Sequence, residues 1–131
     1  MPFVLHATTL VSVFALVVYF WSGLRVARAR AVHGVQAPAV TGPEEFERVF
    51  RAQQNTLEQL ALFLPSLWLC YILYHNIWPA VVGLFWPIGR ILYILAYSRS
   101  ASARAPGFIL SVIATLILLI AAAVGSVMGL L

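Results

Sequence analysis

The chain has 131 residues, 63% of them hydrophobic and only 9% charged, with a formal net charge of +4. That composition excludes an ordinary water-soluble domain and points to a single small domain, residues 1–131, whose solvent is lipid. The positive charge does not suggest nucleic acid, because the basic residues form no exposed stripe or arm; a membrane surface accounts for them more simply.

Four apolar segments follow one another, at about residues 3–32, 44–74, 79–97 and 106–131. Each is long enough to cross a hydrocarbon core of ~30 Å, which takes about 20 helical residues. Lipid leaves no partner for open strand edges, and the period-2 alternation of a barrel is absent, so the expected fold is an all-α integral membrane four-helix bundle. The first segment has no basic stretch before it and runs on into Arg25, Arg28 and Arg30, so it reads as a retained helix rather than a cleaved leader. Pro38, Gly42 and Pro43 break the chain before the second segment, where Leu62, Phe63, Leu67 and Trp68 are expected to pack the bundle. His75-Asn76-Ile77-Trp78 is expected to be a tight hairpin before Pro79, and Ser98 to Pro106 forms the third connection. Pro43, Pro79 and Pro106 all stand near a helix start, where the missing N–H is least missed. The fourth segment ends with Gly125-x-x-x-Gly129, a common pattern that permits close helix packing.

The charged residues lie in or beside the first and third connections, with Glu58 and Arg90 a few turns inside the membrane. By the positive-inside rule these connections face the cytoplasm and both termini face outward, across the inner membrane if the source is bacterial. Trp21, Tyr74, Trp78 and Trp86 are expected near the interfaces. Cys70 is the only cysteine, so no intrachain disulfide forms, and its place in an apolar run marks it as a small packing residue. His6, His33 and His75 are too far apart to suggest a metal site, His33 being expected to meet solvent or headgroups. With no aspartate in the chain, a Ser-His-Asp arrangement is excluded.

All eight basic residues are arginines. A planar guanidinium grips carboxylates and phosphates in a way that lysine does not, although GC-rich coding would produce the same bias. Arg48, Arg51, Asn55 and Glu58 are spaced 3, 4 and 3, which lines one helical face, with Gln53 and Gln59 flanking it. Arg90, Tyr93 and Tyr97 line a face of the third helix, while Arg30 ends the first helix and Arg104 precedes the fourth. Ionisable groups at membrane depth cost at least ~2.5–3.5 kcal/mol each, so they face a bundle interior or a cavity. Two readings are open. Glu58 could neutralise Arg51 or Arg90 in a purely structural network, with Asn55 as interhelical glue. Alternatively, cations that outnumber their partners could form a pocket for an anion. Such a pocket suits a small peptide-like ligand with carboxylates and one amine. An arginine beside a thiol would favour its thiolate, whose pKa is otherwise about 8.5.

The run from Gly42 to Asn55 resembles the signature Gly-x-x-x-Phe-Glu-Arg-Val-(Phe or Tyr)-x-Ala-(Gln or Asn)-x-Asn-Cys and departs from it only at Thr56. On this motif, and on Phe63-Leu64, Arg90, Tyr93, Tyr97, Arg99 and Arg104, the chain is similar to the MAPEG superfamily, the membrane-associated proteins of eicosanoid and glutathione metabolism. Its branch holds the leukotriene C synthases, the microsomal glutathione transferases of the second type and the five-lipoxygenase-activating protein. The resemblance implies a homotrimer with one glutathione at each subunit interface. Carried over residue by residue, it implies that Arg51, Asn55, Glu58, Tyr93 and Tyr97 contact glutathione from one protomer. Arg30, Gln53 and Arg104 would complete the site, some from the neighbouring chain, and Arg90 is counted with the glutathione-binding set. Arg104 would be the catalytic residue, stabilising the thiolate for attack on a lipophilic electrophile that arrives from the membrane lipids.

Three departures stand out. Thr56 replaces the signature cysteine, which is expected to be a packing change. Gln59 stands where the leukotriene synthases carry a glutathione-contacting tyrosine, and Ala31 where they carry a second arginine implicated in protonating an opened epoxide. Leukotriene synthesis itself is therefore not expected, and the short C-terminus resembles bacterial members. The expected activity is glutathione transfer to lipophilic electrophiles, with glutathione peroxidase activity on lipid hydroperoxides as a companion. The competing expectation is a non-catalytic lipid-binding scaffold like the lipoxygenase-activating protein. That protein lacks arginines matching Arg51 and Arg104, so their presence here favours the enzyme. A channel or transporter subunit is a third and weaker reading.

Overall fold

The computed structural model describes residues 2–131 as four long helices, α1 (Pro2–His33), α2 (Glu44–Tyr74), α3 (Trp78–Arg99) and α4 (Ala105–Met128). All four helices are long and apolar enough to cross a membrane, as their hydrocarbon-rich sequences require of backbone that must bond internally. The ends differ from expectation by a few residues. α3 runs on to Arg99, and a 3-10 turn at Ala101–Arg104 fills the third connection.

The helix ends follow from local chemistry. Pro43 stands just before α2, and Glu44, Glu45 and Glu47 in its first turn complement the positive helix terminus. At the other end His75 adopts the left-handed conformation (φ 46°) and its N–H returns to the Tyr71 carbonyl. The Asn76 side chain then accepts the Trp78 N–H at 3.1 Å, and Pro79 stands in the first turn of α3. Three residues, His75 to Ile77, therefore suffice to reverse the chain.

The core is built from Ala15, Phe63, Leu67, Trp86 and Leu118, all inaccessible to solvent. Trp86 is not an interfacial residue, as its type suggested. Its ring stacks on Phe63 with centroids 4.7 Å apart and planes within 5°, which buries it completely. Leu62, expected in the packing with Phe63, instead points outward and is 53% exposed. Polar side chains join the helices at three levels. Trp68 donates its indole N–H to Ser12 at 3.0 Å, the Cys70 thiol donates to the Leu118 carbonyl, and Tyr74 donates to the Ala121 carbonyl at 2.7 Å. Tyr74 also fills the space beside Gly125, whereas Gly129 meets only its own helix. The Gly125/Gly129 pair thus seats a tyrosine rather than a second helix backbone.

α3 and α4 approach each other closely at a pair of glycines. A Cβ on Gly107 would stand 2.6 Å from the Gly89 carbonyl oxygen and would collide with the Tyr93 backbone nitrogen. A Cβ on Gly89 would stand 2.9 Å from the Gly107 carbonyl oxygen. Two glycines facing each other let these backbones touch. That contact fixes α4 against the turn of α3 carrying Arg90 and Tyr93. Gly107→Ala is expected to lower stability by ~1–3 kcal/mol through overpacking, read as a lower unfolding temperature in detergent. Gly23→Ala, where a Cβ meets nothing within 4 Å, should be neutral or slightly stabilising.

Candidate functional site

Arg90 is the organising residue of the bundle's polar layer. It is fully buried, and its two terminal nitrogens reach three hydroxyl or amide oxygens on two other helices. One donates to Asn55 Oδ1 at 3.0 Å and Thr56 Oγ1 at 3.1 Å on α2, the other to Ser111 Oγ at 3.4 Å on α4. Its guanidinium carbon lies 3.9 Å from the centroid of the Tyr93 ring, a cation–π contact made strong by the dry surroundings. Among the described residues one arginine pairs with a carboxylate, Arg48 with Glu44 at 2.9 Å, and His33 Nε2 lies 3.7 Å from Glu45, an ion pair only when the imidazole is protonated. Glu58 therefore neutralises neither Arg51 nor Arg90. The buried guanidinium is held by neutral oxygens alone.

Thr56 has a larger part than packing. Its hydroxyl donates to the Ala52 carbonyl at 2.7 Å and accepts from Arg90. A thiol there would be a weaker acceptor. The departure from the signature thus replaces a soft group with a firm anchor for Arg90.

Above this layer a cavity of about 220 Å³ is lined by Arg51, Gln54, Asn55, Glu58, Tyr93, Tyr97 and Arg104. A second recess of about 350 Å³ shares Asn55, Tyr93 and Arg104 and adds Ala105 and Phe108. The expected residues Arg51, Asn55, Glu58, Tyr93, Tyr97 and Arg104 are thus brought together from α2, α3 and the turn before α4. Asn55 is fixed from both sides, its oxygen accepting from Arg90 and its Nδ2 donating to Glu58 at 3.4 Å. Tyr93 and Tyr97 stack with centroids 5.5 Å apart. Arg104 donates to the Tyr97 hydroxyl at 3.3 Å and covers its ring at 5.2 Å. The cavity therefore presents two guanidinium groups, one carboxylate, two amides and two phenols. Arg51, Glu58 and Arg104 remain exposed, so it is open on one side.

The remaining expected residues stand elsewhere within the protomer. Arg90 lies beneath the cavity rather than on its wall. Gln53 turns to α1 and donates to the Tyr19 hydroxyl at 3.3 Å. Arg30 closes the connection after α1, donating to the Ala39 carbonyl at 2.7 Å with its guanidinium 5.3 Å from the Phe46 ring centroid. Gln54 and Phe108 line the cavities without having been expected there. Gln54 was within reach of spacing, since it follows Arg51 by three and precedes Glu58 by four. Phe108 and Ser111 needed the register of α4, which no local pattern carries.

Comparison with known proteins gives a consistent picture. The MAPEG family model matches residues 8–124. The chain is 46% identical over 113 residues to an uncharacterized protein of Synechocystis sp., covering 86% of this chain and 82% of that one. It is 41% identical over 107 residues to microsomal glutathione S-transferase 2 of Mus musculus, covering 82% and 71%. It is 42% identical over 121 residues to leukotriene C4 synthase of Mus musculus, covering 92% and 79%.

Thr56→Val removes an acceptor from a buried guanidinium and is expected to cost ~1.5–3 kcal/mol. Thr56→Ser, which keeps the hydroxyl, should recover most of the loss. Thermal unfolding of both variants in the same detergent checks this.

Proposed function

Because the chain belongs to the MAPEG family, we propose that it is a membrane-bound glutathione transferase joining the glutathione thiolate to lipophilic electrophiles. The observation that carries this reading is the convergence of Arg51, Asn55, Glu58, Tyr93, Tyr97 and Arg104 on one cavity with surplus positive charge. Glutathione has two carboxylates, one ammonium, two amides and a thiol. The side chains present fit that set: Arg51 for a carboxylate, Glu58 for the ammonium, and Asn55 and Gln54 for the amides.

Arg104 is the residue proposed to act on sulfur. Tyr97 steadies it by hydrogen bond and ring contact, so its charge is held in place before the thiol ionises. The thiol proton leaves to water and the guanidinium stabilises the sulfur anion. The thiolate then attacks an electrophilic carbon, forming a C–S bond. The displaced group leaves with its electron pair, or an opened ring oxygen keeps the pair and takes a proton from solvent. The recess at Ala105 and Phe108 borders Arg104 and is the proposed seat of the electrophile.

Arg30 and Gln53 belong to this proposal through assembly. The open side of the cavity leaves room for a neighbouring protomer in a homotrimer to bring its own Arg30 and Gln53 against the ligand. The arginine-rich connections would face the cytoplasm and both termini the outside.

Two measurements test the reading. Mixing the detergent-purified protein with glutathione should produce ultraviolet thiolate absorbance at neutral pH, and turnover of chlorodinitrobenzene should accompany it. Arg104→Ala should abolish the neutral-pH signal, leaving a rate that rises only as free thiol ionises near ~8.5. Glutathione binding with no thiolate and no turnover in the unmodified protein would sink the catalytic assignment. Arg51→Ala removes a charged hydrogen bond of ~1.5–3 kcal/mol and should raise the KM for glutathione roughly ten- to hundredfold with a smaller effect on kcat. An unchanged KM would remove Arg51 from the site.

A further inference from the structure

The proposed chemistry leaves two arginines of α1 unused. Trp21, Arg25, Arg28, Val32 and His33, with Val49 of α2, line a separate recess of about 410 Å³. It shares no residue with the cavities around Arg51 and Arg104. Arg25 is half-buried there. It donates to Ser98 Oγ at 3.0 Å, its guanidinium lies 5.2 Å from the Trp21 ring centroid, and its buried Nε has no hydrogen-bond partner. Arg28 is exposed beside it. Neither arginine is in an ion pair among the described residues; Glu45 at this end of the bundle approaches His33 at 3.7 Å instead.

Past Trp21 the surface changes character. A second recess of about 200 Å³ is lined by Phe14, Val17, Val18, Trp21 and Ile91, all apolar. Trp21 belongs to both recesses. On α1, Phe14, Val17, Trp21, Arg25 and Arg28 are spaced 3, 4, 4 and 3, which keeps them on one face. At ~1.5 Å per residue, Phe14 to Arg28 spans ~21 Å, more than one leaflet of a ~30 Å core.

We propose that this face holds an anionic phospholipid, its phosphate between Arg25 and Arg28 and an acyl chain running past Trp21 onto Phe14, Val17 and Ile91. The planar forks of two unpaired arginines match phosphate oxygens, and a basic pocket between membrane helices is a recurrent headgroup site. The apolar continuation is what selects a lipid over a free anion. A second cationic group on the headgroup would face two guanidiniums, so an anionic lipid is preferred to a zwitterionic one. This inference concerns a different face from the glutathione reading and does not depend on it.

The test uses tryptophan fluorescence of the full chain in detergent micelles. The probes are phosphatidylglycerol and phosphatidylcholine carrying the same brominated acyl chain. Brominated phosphatidylglycerol should quench saturably and at lower mole fraction than the choline lipid, and Trp21→Phe should remove the saturable component. Arg28→Gln, at an exposed position, should weaken phosphatidylglycerol about fivefold, and Arg25→Gln together with it should weaken it further, at ~1 kcal/mol per arginine. Unchanged circular dichroism of the variants separates this loss from unfolding. Excess inorganic phosphate should leave the quenching in place. The proposal falls if the two lipids quench alike, if phosphate abolishes the preference, or if neither lipid reaches Trp21.

Discussion

A guanidinium buried among four apolar helices sets the terms for the rest of the structure. Arg90 has no carboxylate to meet, so two other helices must supply oxygens at the right height: Asn55 and Thr56 from α2, Ser111 from α4. Its Nε has no hydrogen-bond partner, so losing a further acceptor from the terminal nitrogens would be expensive, and this binds the helices into a single register. The same demand orients Asn55 and seats the Tyr93 ring. The floor of the candidate site and the keystone of the bundle are therefore one object. Binding chemistry can be asked of Arg51 and Arg104 because Arg90 has been given over to support.

The division of labour among the arginines follows from depth. Arg90 is sealed, Arg51 and Arg104 stand at an open cavity, and Arg25 lies half-covered on another face. One residue type thus serves as a buried strut and, in the functions proposed above, as ligand for an anion and as contact for a lipid headgroup. Coulomb attraction is strongest where water is excluded, yet a ligand must be able to enter. The cavity reconciles the two by keeping its cations at the rim over a dry, hydrogen-bonded base.

The spans and the polar stripe were legible in the sequence because each depends on one helix alone. Bilayer thickness dictates the length of an apolar run, and prolines mark its starts. The 3.6-residue period by itself puts Arg51, Asn55 and Glu58 together, as it does Tyr93 and Tyr97. What escaped depends on how helices face one another. Residue type placed Trp86 at an interface, but its stacking on Phe63 is decided by the pairing of α2 with α3. Gln53 and Gln54 are adjacent, and only the position of Tyr19 on α1 assigns the first away from the cavity. The role of Thr56 was hidden for the same reason, since its partner Arg90 comes from another helix.

The short connection between α3 and α4 acts as a spacer gauge. Surface connections ordinarily absorb insertions and deletions with little consequence. Here Gly107, which meets Gly89, lies only a few residues after the turn at Ala101–Arg104. One residue added would rotate the following helix by ~100°. Gly107 would leave Gly89, Ser111 would leave Arg90, and Arg104 would stand at a different distance from its helix. The length of this connection is thus part of the site, since it sets which face of α4 meets Arg90 and Gly89.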